Sequence, residues 1–484
     1  MNDLSPPGRL LSGALPPPLP GAERTLAEQL AAWLALRIDE HALKPGTRLP
    51  SIRRFADERG VSRSTVVEAY DRLIAAGYAE SRRGSGFYVR ARRTPPPAST
   101  RAAGGPRAPG KDAPPALDVL WLLRAMLRQA PAGAQPGAGL LPAEWLDGDI
   151  IAAGVRAVGR GAGSGLLSYG TPEGYLPLRQ QLVERLALAD IGAAPEQIVV
   201  TNGATQAIDL VARHFLAPGD TVFVEDPAWF LMFGRFAAFG AQVVGVPRRH
   251  DGPDLAVLAN LLTRHQPKLF VVGSVLHNPT GSSISAANAH GLLKLADEYG
   301  FALVEDDVYG DLHPGRALRL ASLDQLQRVV YVSGFSKTLA ASLRVGYIAA
   351  SGALAQQLAD LKMLTGLTTP ELTERVVTRV LADGQYRRHL DRLRGRLDAA
   401  RDRTARALEK IGARLYMQPE AGIFLWADFG RDTNAIAAEG AQQGVLCAPG
   451  SLFSPTQLPS TWMRVSAATS MNPAAQRFLA DAMR

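Results

Sequence analysis

Residues 91–116 read ARRTPPPASTRAAGGPRAPGKDAPPA, and this stretch rules out one continuous core. Proline, glycine, alanine and arginine fill it, and no apolar residue recurs at a helical or strand period. The chain must therefore fold as separate modules on either side. Its 484 residues exceed what one ordinary core takes up and suit two or more domains. The expected organisation is a disordered, proline-rich tail over 1–22, a compact module over 23–90, a linker over 91–117 and a large domain over 118–484. The large domain divides into a larger part at about 160–365 and a smaller C-terminal part at about 366–484.

The charge follows the same division. Arg82, Arg83, Arg90, Arg92, Arg93, Arg101, Arg107 and Lys111 fall between residues 81 and 111 with no acid among them. The chain holds 53 basic and 45 acidic residues, so this block accounts for the whole excess and the remainder is formally neutral. Such a block attracts polyanions by counterion release. It also suits a linker kept soluble by arginine. The single cysteine, Cys447, leaves no internal disulfide and no multi-cysteine metal site. No stretch has the length and apolarity of a membrane span, and the proline-broken N-terminus lacks the apolar core of a signal peptide, so a cytoplasmic protein is expected.

Over 25–40, Leu26, Leu30, Trp33, Leu34 and Ile38 recur at helical spacing. SIRRFADERG then starts on Ser51 as an N-cap and stops at Gly60, and VSRSTVVEAYDRLIAAG runs from the cap Ser62 to Gly77. YAESRRGSGFYV reads as two short strands about a Gly-Ser-Gly turn. Helix, helix, helix, hairpin is the order of a winged helix-turn-helix. In its second short helix Val66, Tyr70, Leu73 and Ile74 face one way, into a core. Arg63, Ser64 and Thr65 lie at the N-terminal end, where a major groove admits a helix. A plain helical hairpin with surface arginines has the same pattern. The stretch resembles the GntR-type winged helix in its Leu-Pro-Ser-x-Arg start, its Val-Ser-Arg-x-Thr-Val helix and its Gly-Ser-Gly wing. That resemblance implies double-stranded DNA as a partner, with contacts from Arg53, Arg63, Ser64 and Thr65 and with Gly86 at the wing tip. Many members carry an arginine where this chain has Val67, so one contact is expected to be missing.

Beyond residue 118, apolar runs such as QIVVT, TVFVED, KLFVVGSV, FALVEDDV and VVYVSG alternate with amphipathic helices, the pattern of an α/β domain on a mainly parallel sheet. Chemistry-bearing residues cluster just after these runs. TNGATQ offers backbone amides at a helix start, suited to a phosphate or to an ordinary cap. Trp229 suits stacking on a ring or core packing. Asn278 lies in a turn, Asp306 ends an apolar strand with Tyr309 close behind, and Lys337 has Ser333 before it and Arg344 after it. Arg464 is a lone arginine in an apolar strand, suited to gripping a carboxylate or to a structural ion pair.

In order and spacing these motifs resemble the fold-type-I, aspartate-aminotransferase-like enzymes that use pyridoxal 5'-phosphate. The resemblance covers residues 160–484. It implies that Lys337 forms the Schiff base with that cofactor and that Asp306 pairs with the pyridine nitrogen. Asn278 and Tyr309 would hold the ring hydroxyl, and Trp229 would stack. Ala204, Thr205, Ser333 and Arg344 would take the phosphate, joined by Tyr169 acting on the neighbouring subunit. Arg464 would take an effector or substrate carboxylate.

Winged helix, arginine-rich linker and aminotransferase-like domain, in that order, resemble the MocR subfamily of GntR-type transcription regulators. That implies a homodimeric, DNA-binding regulator that senses an amino acid or amine by aldimine exchange at Lys337. HNPTG and DDVY are spelled as in working aminotransferases. An active transaminase with an accessory DNA-binding domain is therefore the second reading, and a DNA-binding protein with a vestigial cofactor site the third.

Overall fold

The computed structural model describes residues 25–39, 43–82, 85–90, 134–161, 166–382 and 384–484. The tail over 1–22, the linker over 91–117, and Arg83, Arg92, Arg93, Arg101, Arg107 and Lys111 lie outside the described residues. The chain divides into two compact units between Ala108 and Pro109.

The first unit contains α1 (Leu26–Asp39), α2 (Ile52–Arg59), α3 (Arg63–Ala75), β1 (Ala79–Arg82) and β2 (Gly86–Val89), the strands pairing antiparallel. Both caps fall where the sequence places them. Ser51 accepts the backbone N–H of Arg54, and Ser62 accepts that of Thr65, each relieving an orphan donor of a helix start. Val66, Tyr70 and Leu73 are buried with Leu30, Leu34 and Phe55 in one small core, and Ile74 packs on its edge. The Tyr70 hydroxyl donates to Pro50 O at 2.9 Å, tying α3 to the chain before α2.

The second unit is built on eight strands: β3 (Ile198–Thr201), β4 (Thr221–Asp226), β5 (Gln242–Arg249), β6 (Gly252–Pro253), β7 (Pro267–Val272), β8 (Ala302–Asp306), β9 (Val329–Gly334) and β10 (Gly346–Ala349). Their order is β3-β10-β9-β8-β7-β4-β5-β6. The pairs among β5, β4, β7, β8 and β9 are parallel, while β10 runs antiparallel to both its neighbours. Successive residues of one strand enter opposite cores. Phe223, Phe270, Leu303 and Tyr331 pack on one face, and Val222, Val224, Leu269, Val271, Val304 and Val332 on the other. A sheet covered on both faces needs runs that are apolar at every position, which is why these strands read as continuous rather than alternating.

A smaller antiparallel sheet of β11 (Arg414–Leu415), β12 (Phe424–Asp428), β13 (Ala448–Pro449) and β14 (Trp462–Ser466), in the order β11-β12-β14-β13, has its own core around Leu425, Met463 and Val465. Among the described residues no helix is long and apolar enough to cross a membrane.

Candidate functional site

The loops that follow the parallel strands converge on one cavity of about 600 Å³. Asp306 ends β8, Asn278 follows β7 and Trp229 follows β4. Ala204 and Thr205 open α4 (Ala204–Phe215) after β3, and Lys337 and Arg344 lie between β9 and β10. Tyr309 lines the same cavity, and Arg464 enters it from β14 of the smaller sheet. Sheets of this topology present their ligand groups at the carboxyl ends of the strands.

Lys337 Nζ donates to the Gly139 carbonyl at 2.8 Å and lies 5.7 Å from the centre of the Tyr309 ring. Withdrawal from water, reinforced by the nearby Arg464, pulls its ammonium down to about 8, although Asp306 acts in the opposite sense. Burial pushes the Asp306 carboxyl up to about 7, with the adjacent Asp307 adding to it and Lys337 opposing. Desolvation thus outweighs their mutual attraction. Asp306 Oδ1 is buried with no partner among the described residues.

Arg464 is 2% exposed. Its Nη1 donates to Asn278 Oδ1 at 3.0 Å and its Nη2 to Gly137 O at 2.7 Å, and Nε has no partner among the described residues. Phe424 and Phe453 lie at 4.5 and 4.9 Å from its guanidinium carbon. Burial pulls the guanidinium down to about 10. No carboxylate pairs with it among the described residues.

Arg344 donates from Nη2 to Asn202 O at 2.7 Å, which lays its guanidinium over Gly203 at the start of α4. A Cβ on Gly203 would stand 2.5 Å from that Nη2, and the residue has φ +77°, so only glycine fits. Backbone amides of a helix start and an arginine over them form a cradle for an anion. In all, Lys337, Arg344 and Arg464 line the cavity with Asp306 as the one carboxylate.

Two expected residues sit elsewhere. Ser333 does not line the cavity: its Oγ donates to Asp307 O at 2.9 Å. It shares a strand face with Tyr331, whose hydroxyl also bonds Asp307, and Gly334 and Ser336 line the cavity instead. Tyr169 does not line it either, and it is 82% exposed. Sequence reasoning missed Gly137 and Gly139, which act through backbone carbonyls, and Leu140, Phe230 and Leu231, which supply apolar lining.

In the first unit, Arg53, Arg63 and Ser64 are exposed and Thr65 is half-buried. The Ser62 hydroxyl contacts those of Ser64 at 2.7 Å and Thr65 at 2.8 Å, so the cap engages both. Arg54 pairs with Glu58, Arg72 with Glu68 and Arg82 with Glu80, whereas Arg53 and Arg63 make no ion pair among the described residues. Gly86 opens β2 opposite Arg82, and φ +107° there favours glycine.

Residues 141–482 match the family model of aminotransferase class I and II, starting ahead of the 160 at which the sequence resemblance begins. Residues 26–89 match that of bacterial regulatory proteins of the gntR family. The chain is 31% identical to the 2-aminoadipate transaminase of Thermus thermophilus, over 70% of this chain and 85% of that one. It is 30% identical to the probable rhizopine catabolism regulatory protein MocR of Rhizobium meliloti, over 80% of this chain and 78% of that one. The HTH-type transcriptional regulator YdcR of Escherichia coli is 28% identical over 91% of this chain and 94% of its own. Among solved structures, kynurenine aminotransferase of Pyrococcus horikoshii superposes with a TM-score of 0.70 at 27% identity, covering 75% of this chain and 93% of that one. The α-aminoadipate aminotransferase LysN of Thermus thermophilus, crystallised with N-(5'-phosphopyridoxyl)-L-leucine, gives a TM-score of 0.69 at 28% identity, covering 75% and 94%.

Proposed function

The chain belongs to the aminotransferase class I and II family and joins that domain to a gntR-family DNA-binding domain, as MocR-type regulators do; from this premise we propose that it is a cytoplasmic transcription regulator that binds pyridoxal 5'-phosphate and reads an amino acid on it. The observation that carries the reading is the charge of the cavity. Among the described residues three cationic side chains face one carboxylate there, and the nearly fully buried Arg464 pairs with no acid. Leaving a buried cation unpaired is costly, and a carboxylate ligand removes the cost.

The residues present fit the cofactor. Arg344, Ala204 and Thr205 would hold the phosphate, Asp306 the ring nitrogen, Asn278 and Tyr309 the ring hydroxyl, and Trp229 the ring face. Lys337, drawn toward its neutral form, would hold the aldehyde carbon. When bound, the cofactor supplies an electron sink and a carbon that exchanges amines. Arg464 would take the ligand's carboxylate. The remaining lining joins Leu140, Phe230, Leu231, Val308 and Ala341 to Ser336 and Ser342 and adds no charged group, which favours a ligand with an uncharged side chain.

A homodimer completes the reading. Leu167 and Tyr169 are 85% and 82% exposed, and Leu364 at 82% and Leu367 at 52% end the helix Gly352–Gly366. A Cβ on Gly366 would lie 3.6 Å from Gln206, which places that helix end beside the start of α4. Tyr169 thus suits a role at the partner's phosphate. Arg53 and Arg63, which make no ion pair among the described residues, suit DNA contacts.

The test is a spectral screen of the loaded protein against the proteinogenic amino acids, followed by borohydride reduction of the loaded protein and peptide mapping. Amino acids with uncharged side chains should change the cofactor absorbance, and the pyridoxyl group should map to Lys337. Label on another lysine counts against the reading, and rapid turnover with a 2-oxo acid would favour a working transaminase.

A further inference from the structure

The formal neutrality of the chain outside its arginine block hides a segregation of charge on one helix. The helix Gln385–Lys410 buries Leu390, Leu393, Leu397, Thr404 and Leu408 along one side. At 3.6 residues per turn, positions 388, 392, 396, 399, 403, 406 and 410 share another face, and they carry five arginines, one alanine and one lysine. Arg388, Arg392, Arg396, Arg403, Arg406 and Lys410 are all exposed. The acids of the helix lie on the adjoining face and are occupied there. Asp391 pairs with Arg394 at 3.1 Å and Asp398 with Arg401 at 2.7 Å, Asp402 stands 3.8 Å from Arg401, and Glu409 accepts from Gln418 at 2.5 Å. On the basic face Arg392 pairs with Asp147 at 2.7 Å, and Arg396 donates to the carbonyls of Glu144 and Trp145 at 3.3 and 3.4 Å. Arg388, Arg403, Arg406 and Lys410 make no ion pair among the described residues.

We propose that this basic face is a second DNA contact of the protein, along which the phosphate backbone of the duplex held by the first unit lies. The inference rests on the DNA-binding reading of that unit. A helix face that only meets water mixes the two signs and ties them together, as Arg394 and Arg401 do with the acids beside them. Here like charges stand three and four residues apart, which disfavours the helix until an anion lies along them. From residue 388 to residue 410 the stripe runs about 33 Å at 1.5 Å per residue, close to one turn of duplex DNA at about 34 Å. Each strand of a duplex offers a phosphate about every 3.4 Å, so the match does not depend on base sequence. Release of condensed counterions supplies the binding, and the contact positions the duplex without reading it. The gntR-family domain on the same chain fixes a duplex, so the second contact forms at a raised effective concentration.

The experiment measures binding of the full-length, cofactor-loaded protein to random-sequence duplex DNA several turns long, over a range of salt concentrations. One variant combines Arg388→Gln, Arg403→Gln and Arg406→Gln. A control combines Lys268→Gln, Lys294→Gln and Arg477→Gln, which removes the same charge from exposed positions elsewhere. Both should keep the circular dichroism and cofactor absorbance of the unaltered protein. The stripe variant should bind at least about tenfold more weakly at low salt, and its slope of log affinity against log salt should fall by about 2 to 3. Arg403→Gln alone should lower the slope by about 0.9. The control should leave affinity and slope near their starting values. Equal losses in stripe variant and control reduce the effect to net charge and overturn the contact. Undiminished binding by the stripe variant overturns it as well and leaves the DNA-binding reading standing, whereas no binding of duplex by the unaltered protein overturns both. A stripe variant that loses only its binding to phosphatidylserine vesicles, with DNA binding intact, assigns the face to a membrane surface and overturns the proposal.

Discussion

Lys337 is the residue on which the reading turns, and its surroundings set when it reacts. A free lysine is almost wholly protonated near neutral pH, and only the neutral amine attacks an aldehyde. Burial and Arg464 lower its ammonium to about 8, so the neutral fraction rises as pH climbs through that value and is already roughly a tenth at pH 7. The rate at which pyridoxal phosphate attaches, followed by absorbance, should rise with pH to a half-maximum near 8. A half-maximum near the ordinary lysine value would mean that the burial has no such effect. Lys337, Asp306, Asn278 and Arg464, which the family resemblance picked out by order and spacing, line one cavity, and their chemistry is carried by side chains that a sequence displays. Gly137 and Gly139 were not legible, because the groups they offer are carbonyls that every residue carries. Ser333, grouped with Lys337 for its nearness in sequence, does not line the cavity, because strand alternation turns it to Asp307 on the face it shares with Tyr331.

At the scale of elements, the junction of β3 with α4 makes the anion cradle, and Gly203 is its most constrained position. Gly203→Ala adds a methyl 2.5 Å from Arg344 Nη2 at a φ that alanine resists, so Arg344 must leave the helix start. Cofactor affinity by equilibrium dialysis should fall at least about tenfold, the scale of one charge-assisted hydrogen bond, while circular dichroism stays unchanged. Retained affinity would place the phosphate elsewhere. In the first unit, α3 presents Arg63 at its N-terminal end, with the next two hydroxyls engaged by the Ser62 cap. Arg63→Ala should cost ~1–3 kcal/mol of discrimination between selected and random DNA, measured by competition binding, and leave non-specific binding nearly unchanged. Equal losses on both would make Arg63 a phosphate contact. The elements themselves were the most legible part: continuous apolar runs mark strands buried on both faces, and Ser51 and Ser62 mark helix starts. The antiparallel run of β10 was not legible, since the direction of a short buried strand is set by its connections rather than by its composition.

The whole molecule comprises two units, each with a core of its own. The composition of residues 91–116 separates them. A dimer through the second unit would bring two winged helices to one DNA, raising the effective concentration of the second contact. The exposed Leu167, Tyr169 and Leu364 are what such an interface would cover. A regulator of this design needs only a modest coupling between sites, about 1–3 kcal/mol, which is roughly 5- to 150-fold in affinity. A working transaminase with an accessory DNA-binding module needs none. The most direct measurement is therefore the affinity of the full-length, cofactor-loaded protein for DNA fragments it has itself selected from a random pool, with and without an amino acid that changes the cofactor absorbance. A sensor of this design shifts that affinity at least about fivefold, an effect abolished in Lys337→Ala; the same affinity with and without an amino acid whose binding the absorbance reports would contradict the regulator reading.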